Sequence, residues 1–289
     1  MTVKPLVDPG LWPELLRYSY FASATYSDNC ANPPYDAVTV DDGFINEPST
    51  DTQGYIFRSD ADKEIIAAFR GTSVYPDVAT DFDFGMVPWV SNGVDDKNCQ
   101  GCYAHSGFLR AWNSIEAKVL SLIDRELEGH PDYKVTFTGH SLGGALSVFA
   151  YATLKNTREY KVRAITLGQP RVTNQEGADF LDKLAGATDY TGEIIRITHM
   201  NDVVPHIPPQ WSGFSIQPPQ LMAYVHTKGE IWQGDNKDGS QDADNTYRCF
   251  GQEPADGNNG QGPNYVYDGV HQAYSGLTMG SQGCEGENQ

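Results

Sequence analysis

Apolar and polar positions along this chain alternate between two periods. Residues 11–26, LWPELLRYSYFASATY, set Leu11, Leu15, Tyr18 and Ala22 at helical spacing. QGYIFRS and KEIIAAFR read as two strands, 53–59 and 63–70, joined through Asp60, Ala61 and Asp62. Residues 107–129 carry apolar positions at a spacing of 3.6 and end in glycine, which predicts a helix. From there the pattern switches regularly: strand 132–139, helix 141–156, strand 161–168, helix 174–185 and strand 193–200. Such β-α-β-α-β alternation predicts an α/β fold with a central, mostly parallel sheet flanked by helices. Residues 72–98 and 233–264 lack either period. The first is rich in Asp, Gly and Pro, a composition that suits a functional lid or binding loop. The second reads as a loop-rich segment rather than another domain, so one domain is expected over 1–289.

Composition removes some functions. The 289 residues are 39% hydrophobic and 11% aromatic, as in globular chains, and the formal net charge is −18. Nucleic acid recognition needs clustered Lys and Arg, so no nucleic-acid partner is expected. A strongly anionic membrane surface would not attract such a chain either, and the charge reads as solubility. No run of about 18 apolar residues predicts a transmembrane segment. The opening MTVKPLVDPG has no signal-peptide core. The five cysteines nonetheless suit an oxidising compartment, so the expectation is an extracellular protein whose signal peptide is absent from this sequence. Cys99 and Cys102 have C-x-x-C spacing without a second ligand pair or a thioredoxin-like context, which favours a small-loop disulfide. Cys30 and Cys284 lie near opposite ends, and a bridge there would tie the termini together for about 4–5 kcal/mol in the chain-entropy view.

The chemistry concentrates in VTFTGHSLGG, residues 135–144, where a predicted strand runs into a predicted helix through Gly139-His140-Ser141-Leu142-Gly143. G-x-S-x-G in a strand–turn–helix context is a nucleophile elbow, with glycines where the turn is too sharp for neighbouring Cβ atoms. The following helix aims its free N–H groups at the site. There is no G-K-[ST] and no G-x-G-x-x-G spacing, so phosphate and dinucleotide readings fail. A serine nucleophile needs a base, and the base an orienting carboxylate. Asp202 follows the strand 193–200, on the same sheet edge as Ser141. His199, His206, His226 and His271 all follow Ser141, and order alone favours His271 over His226 only slightly. Asp268 is the rival acid.

The motifs taken together resemble the fungal class 3 lipases and their feruloyl esterase relatives. The residues that carry the resemblance are Phe69-Arg70-Gly71-Thr72, His105-Ser106-Gly107-Phe108, Gly139 to Gly144, Gly168-Gln169-Pro170-Arg171-Val172, Thr198 to Asp202 with Pro205, Pro208 and Pro209, Tyr224-Val225-His226 and His271-Gln272-Ala273-Tyr274. They span about residue 20 to the end, in the family's order. The resemblance implies an α/β-hydrolase fold, with Ser141 as nucleophile, Asp202 as acid and His271 as base, and it gives His226 a structural role. It implies an oxyanion hole from the backbone N–H groups of Thr72 and Leu142, with no metal and no organic cofactor. It implies the disulfides Cys30–Cys284 and Cys99–Cys102, and leaves Cys249 a free thiol. The lid falls at about 73–85, where Val74, Tyr75 and Val78 would form a small apolar face among Asp77, Asp81 and Asp83. That face lacks a tryptophan found in some relatives, which argues against strong interfacial activation. Trp89, Val204, Ile207 and Pro208 are further candidates for the acyl-binding wall. The expected function is a secreted, monomeric lipase acting on acylglycerol esters at a lipid–water interface. The alternatives are a feruloyl or other carboxylic ester hydrolase and, in another class, a non-catalytic lipid- or glycan-binding relative.

Overall fold

The computed structural model describes residues 5–72, 85–210, 223–263 and 269–285. The elements in chain order are α1 (Trp12–Ala24), β1 (Val38–Glu47), β2 (Thr52–Ser59), β3 (Glu64–Phe69), β4 (Met86–Pro88), β5 (Tyr103–His105) and α2 (Ser106–Gly129). They continue with β6 (Lys134–His140), α3 (Leu142–Thr157), β7 (Val162–Leu167), α4 (Gln175–Leu184), β8 (Ile194–His199), β9 (Glu230–Gln233) and β10 (Thr246–Arg248). Among the described residues eight strands form one sheet in the order β1-β2-β3-β6-β7-β8-β9-β10. The five from β3 to β9 are parallel, and antiparallel strands close both edges. The predicted strands and helices from 53 to 200 are present with ends shifted by one or two residues. Three sheet strands were not anticipated: β1, β9 and β10, the last inside the segment expected to be loop.

The sheet separates two cores, and the period-2 pattern of its strands decides which residue serves which. Along β3, Ile65, Ala67 and Phe69 face α2 and α3, joining Phe108, Trp112, Ile115, Val119, Leu146 and Phe149. Ile66 and Ala68 face the other way, with Tyr55, Phe57, Ile165, Leu167 and Ile197, against Leu15, Tyr18 and Phe21 of α1. Both faces of the central strands are therefore covered, which is why successive residues are buried along β3 and β6 alike. His105 caps α2 by accepting the Phe108 N–H at Nδ1, 3.3 Å, and Asn174 caps α4 by accepting from Gly177 N, 3.2 Å. Cys30 is bonded to Cys284 and Cys99 to Cys102, while Cys249 is buried and belongs to no disulfide. No helix among the described residues is long and apolar enough to cross a membrane.

The register aligns the C-terminal ends of the parallel strands. Phe69 pairs with Gly139, His140 with Leu167, Leu167 with Ile197, and His199 with Gln233. Thr72, Ser141, Gly168 and Asp202 thus all lie just past one edge of the sheet, where open α/β sheets bind ligands.

Candidate active site

Ser141 stands alone between the last residue of β6 and the first of α3. Its backbone is at φ 58°, ψ −125°, a conformation that costs a non-glycine residue about 1–3 kcal/mol. Backbone bonds hold it there: Ser141 N donates to Leu167 O at 2.9 Å, and Gly144 N donates to Ser141 O at 2.9 Å. The close approach of three chain segments explains the flanking glycines. A Cβ on Gly143 would sit 2.0 Å from the Phe69 carbonyl oxygen, and one on Gly139 would sit 2.4 Å from the Gly143 carbonyl. The strand end, the turn and the helix start are packed backbone against backbone, and the serine is carried on a rigid support.

Asp202 lies in the turn after β8. Its Oδ2 is 2.7 Å from His271 Nδ1 and also accepts from the Tyr274 hydroxyl, while Oδ1 accepts from Val204 N at 2.9 Å. Asn258 ties the same turn down by donating from Nδ2 to the carbonyls of Met200, 3.2 Å, and Asp202, 3.0 Å. Full burial alone would push the Asp202 carboxyl up. The charge of His271 and the hydrogen bonds from His271, Tyr274 and Val204 outweigh it and hold the carboxyl below its usual range. A buried carboxylate held ionised against one imidazole nitrogen fixes the proton on Nδ1 and leaves Nε2 to act as acceptor. His271 is at the Ser141 end of the sheet. Its ring lies 4.5 Å from that of His140, the residue before Ser141, and a Cβ on Gly168 would be 3.1 Å from its Cε1.

This elbow serine beside a buried carboxylate–imidazole pair matches a known family. The profile described as lipase (class 3) aligns with residues 66–211, just over half of the chain. The chain belongs to the class 3 lipase family. The enzyme called lipase in Rhizopus niveus is 35% identical over 170 residues, 57% of this chain and 40% of that one. The secreted mono- and diacylglycerol lipase 1 of Fusarium solani is 32% identical over 207 residues, 71% of this chain and 54% of that one. The aligned region thus spans about half the length of these relatives. Among solved structures, the lipase from Rhizopus microsporus var. chinensis is 27% identical and superposes with a TM-score of 0.79 over 97% of this chain and 91% of that one. The Lip2 lipase from Yarrowia lipolytica, 24% identical, shares the fold with a TM-score of 0.81 over 97% and 98%. The fold is that of the α/β-hydrolases.

The other residues singled out from the sequence of this class 3 lipase distribute unevenly. Thr72 and Leu142 line one cavity of about 310 Å3, together with His105, Phe108 and Ala111. Arg110, Thr50 and Asp51 make part of its wall polar. Val74, Tyr75 and Val78, and the rival Asp268, lie outside the described residues. Trp89 departs from expectation. It is 1% exposed and packs edge-on against Phe149 and Phe180, at 5.2 and 6.0 Å, so it fills the core and presents no face to a ligand. Val204 and Ile207 form a small buried apolar cluster two to five residues past Asp202. The Pro208 carbonyl accepts from Arg171 NH1 at 2.9 Å, and Arg171 is paired in turn with Glu253. His226 turns Nε2 to the Pro205 carbonyl, 2.8 Å, and burial together with the charges of Arg196 and Arg171 drives its pKa far down, so it remains neutral. His199 meets Val270 O and Asp235 rather than Ser141.

Sequence reasoning missed three supports. Tyr274 stood in a quoted motif without a role, His140 was only the variable position of G-x-S-x-G, and Tyr26 carried no signal. Each acts through a partner more than 70 residues away, which no local pattern encodes.

Proposed function

We propose that the chain is a secreted lipase that cleaves acylglycerol esters through an acyl-enzyme on Ser141. The observation that carries this reading is the 2.7 Å contact between His271 Nδ1 and the buried Asp202 carboxylate on the sheet edge that bears the Ser141 elbow. His271 Nε2 accepts the Ser141 proton as Oγ attacks the ester carbonyl, forming the Oγ–C bond. The backbone N–H groups of Thr72 and Leu142 stabilise the oxyanion, each worth about 10²–10³ in rate. The C–O bond to the alcohol then breaks, and the alcohol leaves with the proton from His271. Water enters, gives a proton to His271 and attacks the acyl carbonyl; the Oγ–C bond then breaks, the free acid leaves, and His271 returns the proton to Ser141 Oγ. The cycle uses these side chains, the two backbone N–H groups and water.

The name of the Fusarium solani relative supports secretion and a preference for mono- and diacylglycerols. The polar wall of the cavity beside Thr72 and Leu142, with Arg110, Asp51 and Thr50, supports the same preference, because free glycerol hydroxyls find partners there. The enzyme works as a monomer at the lipid–water interface, and residues 1–289 act as one domain. A panel of emulsified tri-, di- and monoacylglycerols with methyl ferulate, run on wild type and Ser141→Ala, tests the reading. Hydrolysis of glycerides by wild type alone is the expected result. Cleavage of ferulate only would replace the lipase reading with a feruloyl esterase. A serine-directed phosphonate leaving no adduct at Ser141 would make the chain a binding protein.

A further inference from the structure

Two histidines outside the catalytic set grip the backbone of the loop that carries His271. His140 ends β6, and its Nε2 is 2.7 Å from the carbonyl oxygen of His271. His199 ends β8, and its Nδ1 is 3.0 Å from the carbonyl oxygen of Val270. A carbonyl only accepts, so each of these nitrogens carries its proton and donates. The opposite nitrogen of each ring is also engaged. His140 Nδ1 accepts from the Tyr26 hydroxyl at 2.7 Å, and His199 Nε2 is 2.8 Å from Asp235 Oδ1. Full burial, reinforced by the charge of His271, lowers the His140 pKa to about 3 and keeps that ring in the single neutral tautomer this arrangement requires.

We propose that His140 and His199 are positioning residues that set the orientation of the His271 imidazole by clamping the two consecutive carbonyls of Val270 and His271. The geometry makes this more than packing. Asp202 holds the ring at Nδ1, and the backbone that carries the ring has to be held as well for that contact to set its direction. Fixing the carbonyl of His271 and the one before it determines where its Cα–Cβ bond points. The two clamps come from strand ends on either side of β7, so Ser141 and His271 are referred to the same rigid edge. Productive catalysis needs Nε2 at hydrogen-bonding distance from Ser141 Oγ, about 2.6–3.2 Å, and a displacement of about 1 Å costs on the order of 100-fold. The inference rests on the proposed acyl-enzyme chemistry.

The two clamps use different ring nitrogens, and this gives a crossed test. A Gln amide nitrogen reaches roughly where Nε2 of a histidine lies, and an Asn amide nitrogen where Nδ1 lies. We expect His140→Gln to retain activity within about threefold while His140→Asn loses tenfold or more in kcat, with KM for a short-chain soluble ester held within about twofold. At position 199 the order reverses, Asn being tolerated and Gln not. The rate of phosphonate modification of Ser141, measured on folded protein, should fall in parallel with kcat. A purely structural role would give the same ranking of Asn and Gln at both positions, with loss of activity tracking loss of folded protein, and that result overturns the proposal. Should the substitutions at 140 fail to fold, the pair at 199 carries the test alone, and equal activity of His199→Asn and His199→Gln in folded protein overturns the proposal. Wild type inactive toward every ester, with Ser141→Ala indistinguishable from it, would sink the acyl-enzyme reading; clamp variants as active as wild type beside a dead Ser141→Ala would sink only the clamp.

Discussion

The elbow glycines separate two kinds of glycine that a sequence prints alike. At Gly143 an added Cβ would be 2.0 Å from the Phe69 carbonyl oxygen and 2.6 Å from its carbon, and a strand backbone in the middle of a sheet has nowhere to move. At Gly129, the last residue of α2, nothing lies within 4 Å. Gly143→Ala is therefore expected to cost about 3 kcal/mol or more, by forcing apart the turn that presents Ser141. Gly129→Ala should be neutral or stabilise by up to about 1 kcal/mol, through reduced freedom of the unfolded chain. Urea unfolding of both variants checks the contrast, and equal effects would mean that the close approach of α3 to β3 is not what glycine serves here. The residues proposed to do the chemistry were largely legible because Ser141 announces itself through that local strain. Asp202 followed from its place after a predicted strand. His271 could not be separated from His226 by order alone, and the resemblance made the choice. The resemblance had no means to assign Tyr26 or His140, whose partners are set by the packing of distant segments. Trp89 misled for the opposite reason: a large apolar side chain near a lid fits a pocket wall and a core equally well, and only its contacts with Phe149 and Phe180 decide.

Elements were legible in proportion to how strictly they keep one period. α2 does so over 24 residues and buries a stripe from Phe108 to Leu127. β6, β7 and β8 are short, mostly buried strands set among helices. β1 broke the pattern because its pairing with β2 shifts register between Thr39 and Phe44, so its buried positions do not alternate. β9, EIWQ, hides because two of its four residues are buried polar side chains. Glu230 is matched by Arg196, Thr198 and Asn258, and Gln233 by Ser275, all far away in sequence. α3 differs from the other helices in being buried nearly all round from Gly143 to Leu154. It is the support on which the elbow rests, and its packing should govern the site's stability more than any surface element. Phe149, fully buried and edge-on to Trp89, is the direct probe. Phe149→Ala is expected to cost about 3–5 kcal/mol from lost transfer energy and the cavity left behind. Calorimetry should show a lower Tm with the kcat of the remaining folded enzyme nearly unchanged. A loss below about 1 kcal/mol would mean that the helix closes over the gap and is less rigid than its burial implies.

For the whole molecule, burying imidazoles at the functional edge links stability to pH. His140 is neutral when folded, with a pKa of about 3, against the ordinary 6.5 of an exposed imidazole, because burial and the nearby charge of His271 oppose a second proton. His226 is lowered well below its ordinary value by burial and by Arg196 and Arg171. On acidification below about pH 6.5 the unfolded chain takes up protons at both positions and the folded chain does not, so the unfolded state gains. Each group contributes a slope of up to about 1.4 kcal/mol per pH unit, and for His140 the loss continues down to about pH 3. Asp202 acts in the same direction lower down. Its folded pKa is depressed, so its contribution is full above the ordinary carboxylate range and disappears as pH falls through the folded value. The disulfide between Cys30 and Cys284 cannot offset this, since it restrains the unfolded chain equally at every pH. Unfolding free energies measured in urea from pH 4 to 7 should therefore rise with pH across the whole range. Replacing His140 by Gln, which keeps a donor but cannot titrate, should remove up to about 1.4 kcal/mol per pH unit from that slope. A variant whose slope equals that of wild type would show that His140 takes up its proton in the folded state, and that its environment is wetter than full burial beside Tyr26 and His271 implies.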